Sequence, residues 1–314
     1  IGMSIGLSFM ISMVMGPLLA ASYGLSLLFW ITAGLALAGI AVVVFITPQP
    51  RSQGFHRDTQ LSLADVGQIL KNTELQRLDL GIFVLHLVLS ATFVVFPLVL
   101  RDNLLVAEAL HWKTYLPVFA LSVVGMVPMI IVAEKFRKTK GMFLLGITIV
   151  LIAEMGLAGA NSYAWAFAML VLFFTGFNFL EASLPSMVAR IAPADMKGTA
   201  MGLFSSAQFL GAFSGGVIGG LLLASPSYSQ GFLVLAVLLL LWWIVAMFMK
   251  TPQQVASRVV SLKDMKEEAV DLFLKQASMI KGVQEVSVYT EDRVAYLKVE
   301  KSFDEQALKA LLSS

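Results

Sequence analysis

Cysteine is absent from this 314-residue sequence, which excludes disulfide staples, thiolate metal sites and a thiol nucleophile. Histidine is scarce: His56, His86 and His111 are the complete set, too few and too scattered for a zinc site. Charge is also thin. Asp, Glu, Lys and Arg make up 13% of residues, against roughly 25% in an ordinary soluble domain. The net charge of +2 is too small, in so apolar a chain, for a nucleic-acid binder. No nucleophile, metal or cofactor constellation appears, so an enzyme is the least supported class and no cofactor is expected. A removable signal peptide is not expected either, because the apolar start lacks a basic leader.

What remains is apolar. Hydrophobic residues make up 58% of the chain and mean hydropathy is +0.83. They fall into blocks close to the roughly 20 residues that cross a bilayer core, whereas a large soluble core shows short amphipathic stretches. The expected fold class is an α-helical polytopic membrane protein with a small α+β domain at its C-terminal end. Eight spans are expected: 1–22, 25–47, 80–100, 114–133, 141–160, 163–189, 198–224 and 229–249. Turn residues such as Ser22-Tyr23-Gly24 and Ser225-Pro226-Ser227 separate them.

Lysine and arginine set the orientation. Arg51, Arg57, Lys71 and Arg77 follow the second span; Lys135, Arg137, Lys138 and Lys140 occupy the next alternate connection, and Arg190 and Lys197 the one after. The opposite side has only Arg101 and Lys113. The basic loops and the tail after Lys250 are therefore expected in the cytoplasm. The run from Lys135 to Lys140 reads either as a gate or, preferably, as a topology signal that meets anionic lipid. Within the long connection, Ser62-Leu63-Ala64-Asp65 resembles a capping box ahead of Val66, Ile69 and Leu70, which reads as an interfacial helix or as a solvated turn.

A repeat links the first span to the seventh at an offset of two hundred positions: Gly2 with Gly202, Phe9 with Phe209, Gly16 with Gly216, Ala20 with Gly220. Each carries small residues at every fourth position, Ser8, Ser12, Gly16 and Ala20 in one and Gly211, Gly215 and Gly219 in the other. Such stripes let backbones approach in lipid. A repeat of helix one by helix seven implies a six-helix period. On that reading 1–47 is the last two helices of an N-terminal bundle, 48–79 the cytoplasmic central loop, 80–250 a complete six-helix bundle, 251–257 a linker and 258–314 the soluble domain. Because the chain opens on Ile1 in an apolar run, residues upstream are expected to be missing.

Two six-helix halves joined by a cytoplasmic loop resemble the major facilitator superfamily. The run Ser12-Met13-Val14-Met15-Gly16-Pro17-Leu18-Leu19-Ala20 resembles that family's antiporter signature, G-x-x-x-G-P-x-x-G, with Ser12 and Ala20 at usual glycine positions. Lys197-Gly198-Thr199-Ala200-Met201-Gly202 resembles the opening of its eleventh helix, so the chain would cover helices five to twelve. Asn178-Phe179-Leu180-Glu181-Ala182-Ser183-Leu184-Pro185-Ser186 and the tail are similar to the YajR-type branch, bacterial members with a ferredoxin-like C-terminal domain. The loop Ala133-Glu134-Lys135-Phe136-Arg137-Lys138 stands where a pseudo-repeat of the family's acidic-basic loop would fall, and is degenerate.

The resemblance implies a secondary transporter in a bacterial inner membrane: a proton-coupled antiporter that exports a small drug-like or amphiphilic molecule by alternating access. The proton is the expected coupling ion. The alternative class is a non-transporting receptor or scaffold that signals through the tail. It also implies that Gly16 and Pro17 seal the interface between bundles, where a proline bend and a close-packing glycine suit the task; ordinary packing is the compatible plain reading.

Ionisable residues inside the spans carry the chemistry. Glu181 lies deep in the sixth span, where an ionised carboxylate costs several kcal/mol (about 2.5 to 3.5 on insertion scales) unless paired or hydrated. It either binds a proton or substrate cation or locks its helix to a neighbour; Asn178, one turn earlier, is placed to hydrogen-bond with it. His86 suits a proton relay, with a ring bonded to a backbone carbonyl as the plain alternative. Gln208 lines a cavity or clasps a helix. Glu154, nearer the outer end of its span, is expected to reach interfacial water.

From Arg258 to Ser314 there are nine basic and ten acidic residues, so this part reads as soluble. Val255–Leu262, Val283–Tyr289 and Val294–Val299 read as strands, Asp264–Met279 and Asp304–Leu312 as helices, and Glu291-Asp292 as a turn. The helix would place Met265, Val270, Phe273 and Leu274 on one face. The order βαββα is a ferredoxin-like unit short of its last strand. Leu262-Lys263-Asp264-Met265 stands where related metal-carrying domains have C-x-x-C, so metal delivery is not expected. Regulation or self-association through this domain remains, as does a purely stabilising role.

Overall fold

A computed structural model describes residues 22–47, 63–193, 196–225, 227–250, 255–262, 267–289, 293–300 and 302–313, with isolated positions between 8 and 20. Among the described residues, seven helices are long and apolar enough to cross a membrane. The expected span over 1–22 lies mostly outside them, as do Ser62 and the turn at Glu291-Asp292.

The elements in chain order are α1 (Leu25–Ala41, extended by a π-helical turn Val42–Ile46), α2 (Leu63–Lys71), α3 (Thr73–Leu98, extended by a π-helical turn Val99–Asn103), α4 (His111–Lys135), α5 (Thr139–Ala158), α6 (Tyr163–Ile191), α7 (Lys197–Leu222) and α8 (Tyr228–Met247). The tail follows as β1 (Val255–Ser261), α9 (Glu267–Met279), β2 (Val283–Tyr289), β3 (Val294–Glu300) and α10 (Glu305–Ser313). The chain forms two compact units, one from 1–52, 80–183 and 208–248, the other from 53–79, 184–207 and 249–314.

In the first unit α1 buries no residue, while α3 is the most buried of the spanning helices. Leu85, Val88, Ala91 and Val95 of α3 join Ile147 and Val150 of α5, Phe173, Phe174 and Leu180 of α6, and Leu235, Leu239 and Trp242 of α8 in the core. Lipid is as apolar as these side chains, so association depends on close packing. Phe143 of α5 meets the Trp242 indole edge-on at 5.9 Å, and a Cβ on Gly81 would sit 3.0 Å from that same indole. On α7, Gly211 and Gly215 lie against the backbone of α3 at Phe83 and Leu87, and Gly219 lies against Ala91 and Val94.

In the second unit α3 begins at Thr73, seven residues before the expected 80. The side chain of Asn72 caps it, its Oδ1 accepting from the backbone N–H of Glu74 (3.0 Å) and of Leu75 (3.3 Å). This stretch, which carries Glu74, Arg77 and Asp79, falls within the 48–79 expected as loop, but hydropathy marks where a helix enters lipid, not where it starts. Glu74 pairs with Arg77 and also accepts from the Lys250 backbone N–H at 3.0 Å. Helix α2 occupies the place of the interfacial helix. It buries Asp65 and Ile69 and leaves Leu70 half exposed, so its inner face differs from the Val66, Ile69, Leu70 face expected.

The tail is an antiparallel sheet of order β1-β3-β2. Its first strand begins at Val255, inside the 251–257 stretch expected as linker. One face of β3 (Ala295, Leu297, Val299) packs with Phe273 and Ala277 of α9 and Leu308 of α10. Leu274 is more than a third exposed and does not share the Phe273 face. Val294, Tyr296 and Lys298, on the other face of β3, are buried as well. Lys298 Nζ pairs with Glu285 at 3.0 Å and reaches the Ile191 carbonyl, at the end of α6, at 3.5 Å.

Candidate functional site

Three polar side chains from three helices meet inside the first unit. The Gln208 amide of α7 donates to Glu181 Oε1 of α6 at 3.1 Å and lies 2.9 Å from His86 Nε2 of α3. His86 Nδ1 is 3.3 Å from the Ile82 carbonyl. The consistent assignment is a neutral ring with its proton on Nδ1, donated to Ile82, and a bare Nε2 that accepts from Gln208. The second carboxylate oxygen, Glu181 Oε2, has no hydrogen bond among the described residues and lies 3.6 Å from His86 Nε2.

The placement follows from helix geometry. Gln208 and Gly211 lie three residues apart on one face of α7, and the glycines set that face directly on α3. Side chains lean toward the N-terminus of their helix, so His86, although its Cα lies one turn beyond Phe83, reaches back to Gln208. The cluster is not sealed. The Glu181 side chain keeps 25% of its surface exposed and the His86 side chain 13%. Phe177 flanks the imidazole at 5.7 Å and continues into a packed aromatic group with Phe173 and Phe174.

Asn178 does not join this cluster. Its Nδ2 donates to Ser122 Oγ of α4 at 3.0 Å, and Ser122 donates onward to the Phe119 carbonyl at 2.8 Å. One turn along α6 separates two polar contacts with different helices. Ser122 was not singled out from sequence: a lone serine in an apolar span carries no signal until its partner is known.

Glu154 departs from expectation. Instead of reaching water it is fully buried, with Oε1 accepting from Thr92 Oγ1 of α3 at 2.7 Å and Oε2 unpartnered among the described residues. Of the antiporter-like run, Ser12, Gly16 and Ala20 are helical, Ser12 Oγ donates to the Ser8 carbonyl at 2.8 Å, and Pro17 lies outside the described residues. A Cβ on Gly16 would touch nothing within 4 Å among the described residues. Lys140 donates to the Met247 carbonyl at 2.8 Å. Among the described residues no group of three or more His, Asp and Glu side chains is arranged to hold a metal.

Comparison with known proteins agrees with this architecture. The chain is 36% identical over 303 residues to the Escherichia coli K12 protein named inner membrane transport protein YajR, covering 96% of this chain and 66% of that protein. Two proteins named as uncharacterized transporters, from Buchnera aphidicola of Acyrthosiphon pisum and of Baizongia pistaciae, are 29% and 27% identical. Those matches cover 68% and 78% of this chain and 55% and 63% of theirs. The chain thus spans just over half to about two thirds of the length of these relatives. The family model described as Major Facilitator Superfamily matches residues 1–213 and 78–311, and the chain belongs to that superfamily.

Proposed function

We propose that this chain is part of a secondary active transporter: a proton-coupled antiporter that exports a small drug-like or amphiphilic molecule by alternating access. The observation that carries the reading is the Glu181–Gln208–His86 cluster, in which two titratable groups on different helices share one amide and remain partly open. With both groups deprotonated, the two N–H bonds of Gln208 serve one acceptor each. A proton placed on His86 Nε2 or on Glu181 Oε1 sets a donor against a donor, and the amide must turn or withdraw. Proton binding at either of these two atoms is thereby tied to the contact of α7 with α3 and α6. That is the kind of coupling a proton-driven rearrangement needs.

The inner-membrane location is carried over from the Escherichia coli relative's name, and the cytoplasmic side of the tail from the lysine and arginine pattern. The test uses the full-length protein in proteoliposomes with an internal pH dye and ethidium as the amphiphilic cation. An imposed proton gradient should drive ethidium movement in the wild type and not in Glu181→Gln. Wild-type rates and proton flux in Glu181→Gln would remove this carboxylate from the mechanism.

A further inference from the structure

A second carboxyl in the same unit has the opposite surroundings. Glu154 lies in α5 among Val150, Ala153 and Leu157, all essentially without exposed surface, and is itself 0% exposed. Its only hydrogen bond among the described residues comes from Thr92, itself fully buried, to Oε1 at 2.7 Å. Oε2 is buried with no hydrogen-bond partner among the described residues.

Among the described residues, no charged or titratable group faces it from the surrounding helices at hydrogen-bond or ion-pair distance. On α3, His86 is engaged with Gln208, and Arg101 and Asp102, beyond it, with each other. On α4, His111 meets the Val106 carbonyl and Lys113 lies over the Trp112 ring. Glu181 of α6 accepts from Gln208, Tyr163 at its outer end meets Thr114, Tyr228 of α8 donates to Asp102, and Lys140 of α5 holds the Met247 carbonyl. The Tyr115 hydroxyl of α4 is buried and makes no hydrogen bond among the described residues.

An ionised carboxylate satisfied at one oxygen only, with no counter-charge, is the most costly form this site could take. A carboxylic acid removes the charge, keeps Oε1 as the carbonyl that accepts from Thr92, and leaves only a neutral hydroxyl without a partner. We propose that Glu154 is a second proton-binding carboxyl, with the proton on Oε2 and Thr92 fixing Oε1 as the carbonyl oxygen. The proton enters from water and returns to water, so its exchange requires water to reach Oε2 between α3 and α5. This reading stands on geometry separate from the Glu181 cluster and does not depend on it.

Infrared spectroscopy of the full-length protein in lipid vesicles at neutral pH tests it directly. A protonated carboxyl gives a C=O stretching band that an ionised one lacks. Glu154→Gln should remove one component of that band, and Glu181→Gln should leave that component in place. Thr92→Val should move the same component to higher frequency, because the carbonyl loses its donor. The proposal is overturned if Glu154→Gln removes no component, or if Thr92→Val leaves the Glu154 component unmoved. Should Glu154→Gln fail to accumulate, Thr92→Val alone decides: a shifted component supports the proposal, and an unshifted band overturns it.

Discussion

Replacing Gly211 or Gly215 by alanine should separate α7 from α3, because neither contact has room for a methyl group. A Cβ at Gly211 would lie 2.2 Å from the Phe83 carbonyl oxygen, and one at Gly215 would lie 2.2 Å from that of Leu87. Ordinary van der Waals contact begins at 3.4 Å, so each falls 1.2 Å short, against backbone that cannot rotate aside. Withdrawal of a helix by that much forfeits on the order of half the dispersion attraction across the seam, since a gap of about 0.5–1 Å already costs a quarter to a half. Overpacking of this kind costs about 1–3 kcal/mol, with the upper end expected where the obstacle is main chain. Gly216, about 100° around the same helix from Gly215, would meet nothing within 4 Å among the described residues. There alanine should be neutral or gain up to about 1 kcal/mol of helix propensity. The assay is thermal denaturation of the full-length protein in detergent, read as loss of the monodisperse peak. Gly211→Ala and Gly215→Ala should melt well below wild type and Gly216→Ala should not. Equal melting of all three variants would refute the backbone-contact argument.

Three further outcomes follow from named contacts. Ser122→Ala and Asn178→Leu should each destabilise by about 0.5–1.5 kcal/mol, and the double variant should lose less than the sum in a double-mutant cycle; strict additivity would mean the 3.0 Å bond contributes nothing. Lys298→Ala removes the donor to the Ile191 carbonyl, so amide hydrogen exchange should rise over residues 188–193 while β3 keeps its protection, and an unchanged pattern would count against that contact. Gly282→Ala should destabilise the tail domain by more than about 1 kcal/mol, since φ is +87° and a Cβ would lie 2.6 Å from the Phe303 Cα; a urea titration of the full chain that matches wild type would contradict it.

Much of the fold was legible because bilayer thickness imposes a length that apolar blocks display openly. Six of the seven described spans begin within three residues of the ranges read from sequence, and the exception is instructive. The start of α3 was hidden because Glu74, Arg77 and Asp79 break the apolar run without breaking the helix, which Asn72 caps. The order of tail elements was legible from alternation, but Leu274 shows that a neighbour of a buried Phe273 need not share its face. Glu181, His86 and Gln208 stood out singly as polar residues in apolar spans. Their meeting did not, because residues 122 and 27 positions apart are joined only by the packing of α7 on α3. Glu154 was misplaced for a related reason. Hydropathy reports depth along a helix, whereas burial depends on which side of that helix faces the bundle, and an apolar span carries almost no periodic signal to tell the sides apart.

Both polar sites draw a residue from α3, and the spacing explains why they stay separate. His86 and Thr92 lie six residues apart, which is about 9 Å along the axis and about 120° around it. One faces Gln208 and Glu181, the other Glu154. The same helix takes the glycines of α7 along Phe83, Leu87 and Ala91. A shift of α3 relative to α7 therefore cannot leave the His86 contact unchanged, and a shift relative to α5 must stretch or break the Thr92 bond. A helix held by close backbone packing on one side and by single hydrogen bonds on the others has few intermediate positions available. Its two polar contacts should be remade together or not at all. An upward shift of the Glu154 infrared component together with loss of the Gln208 contact would be expected in any variant that dislodges α3. A variant that displaced α3 and disturbed only one of them would show that the two sites move independently.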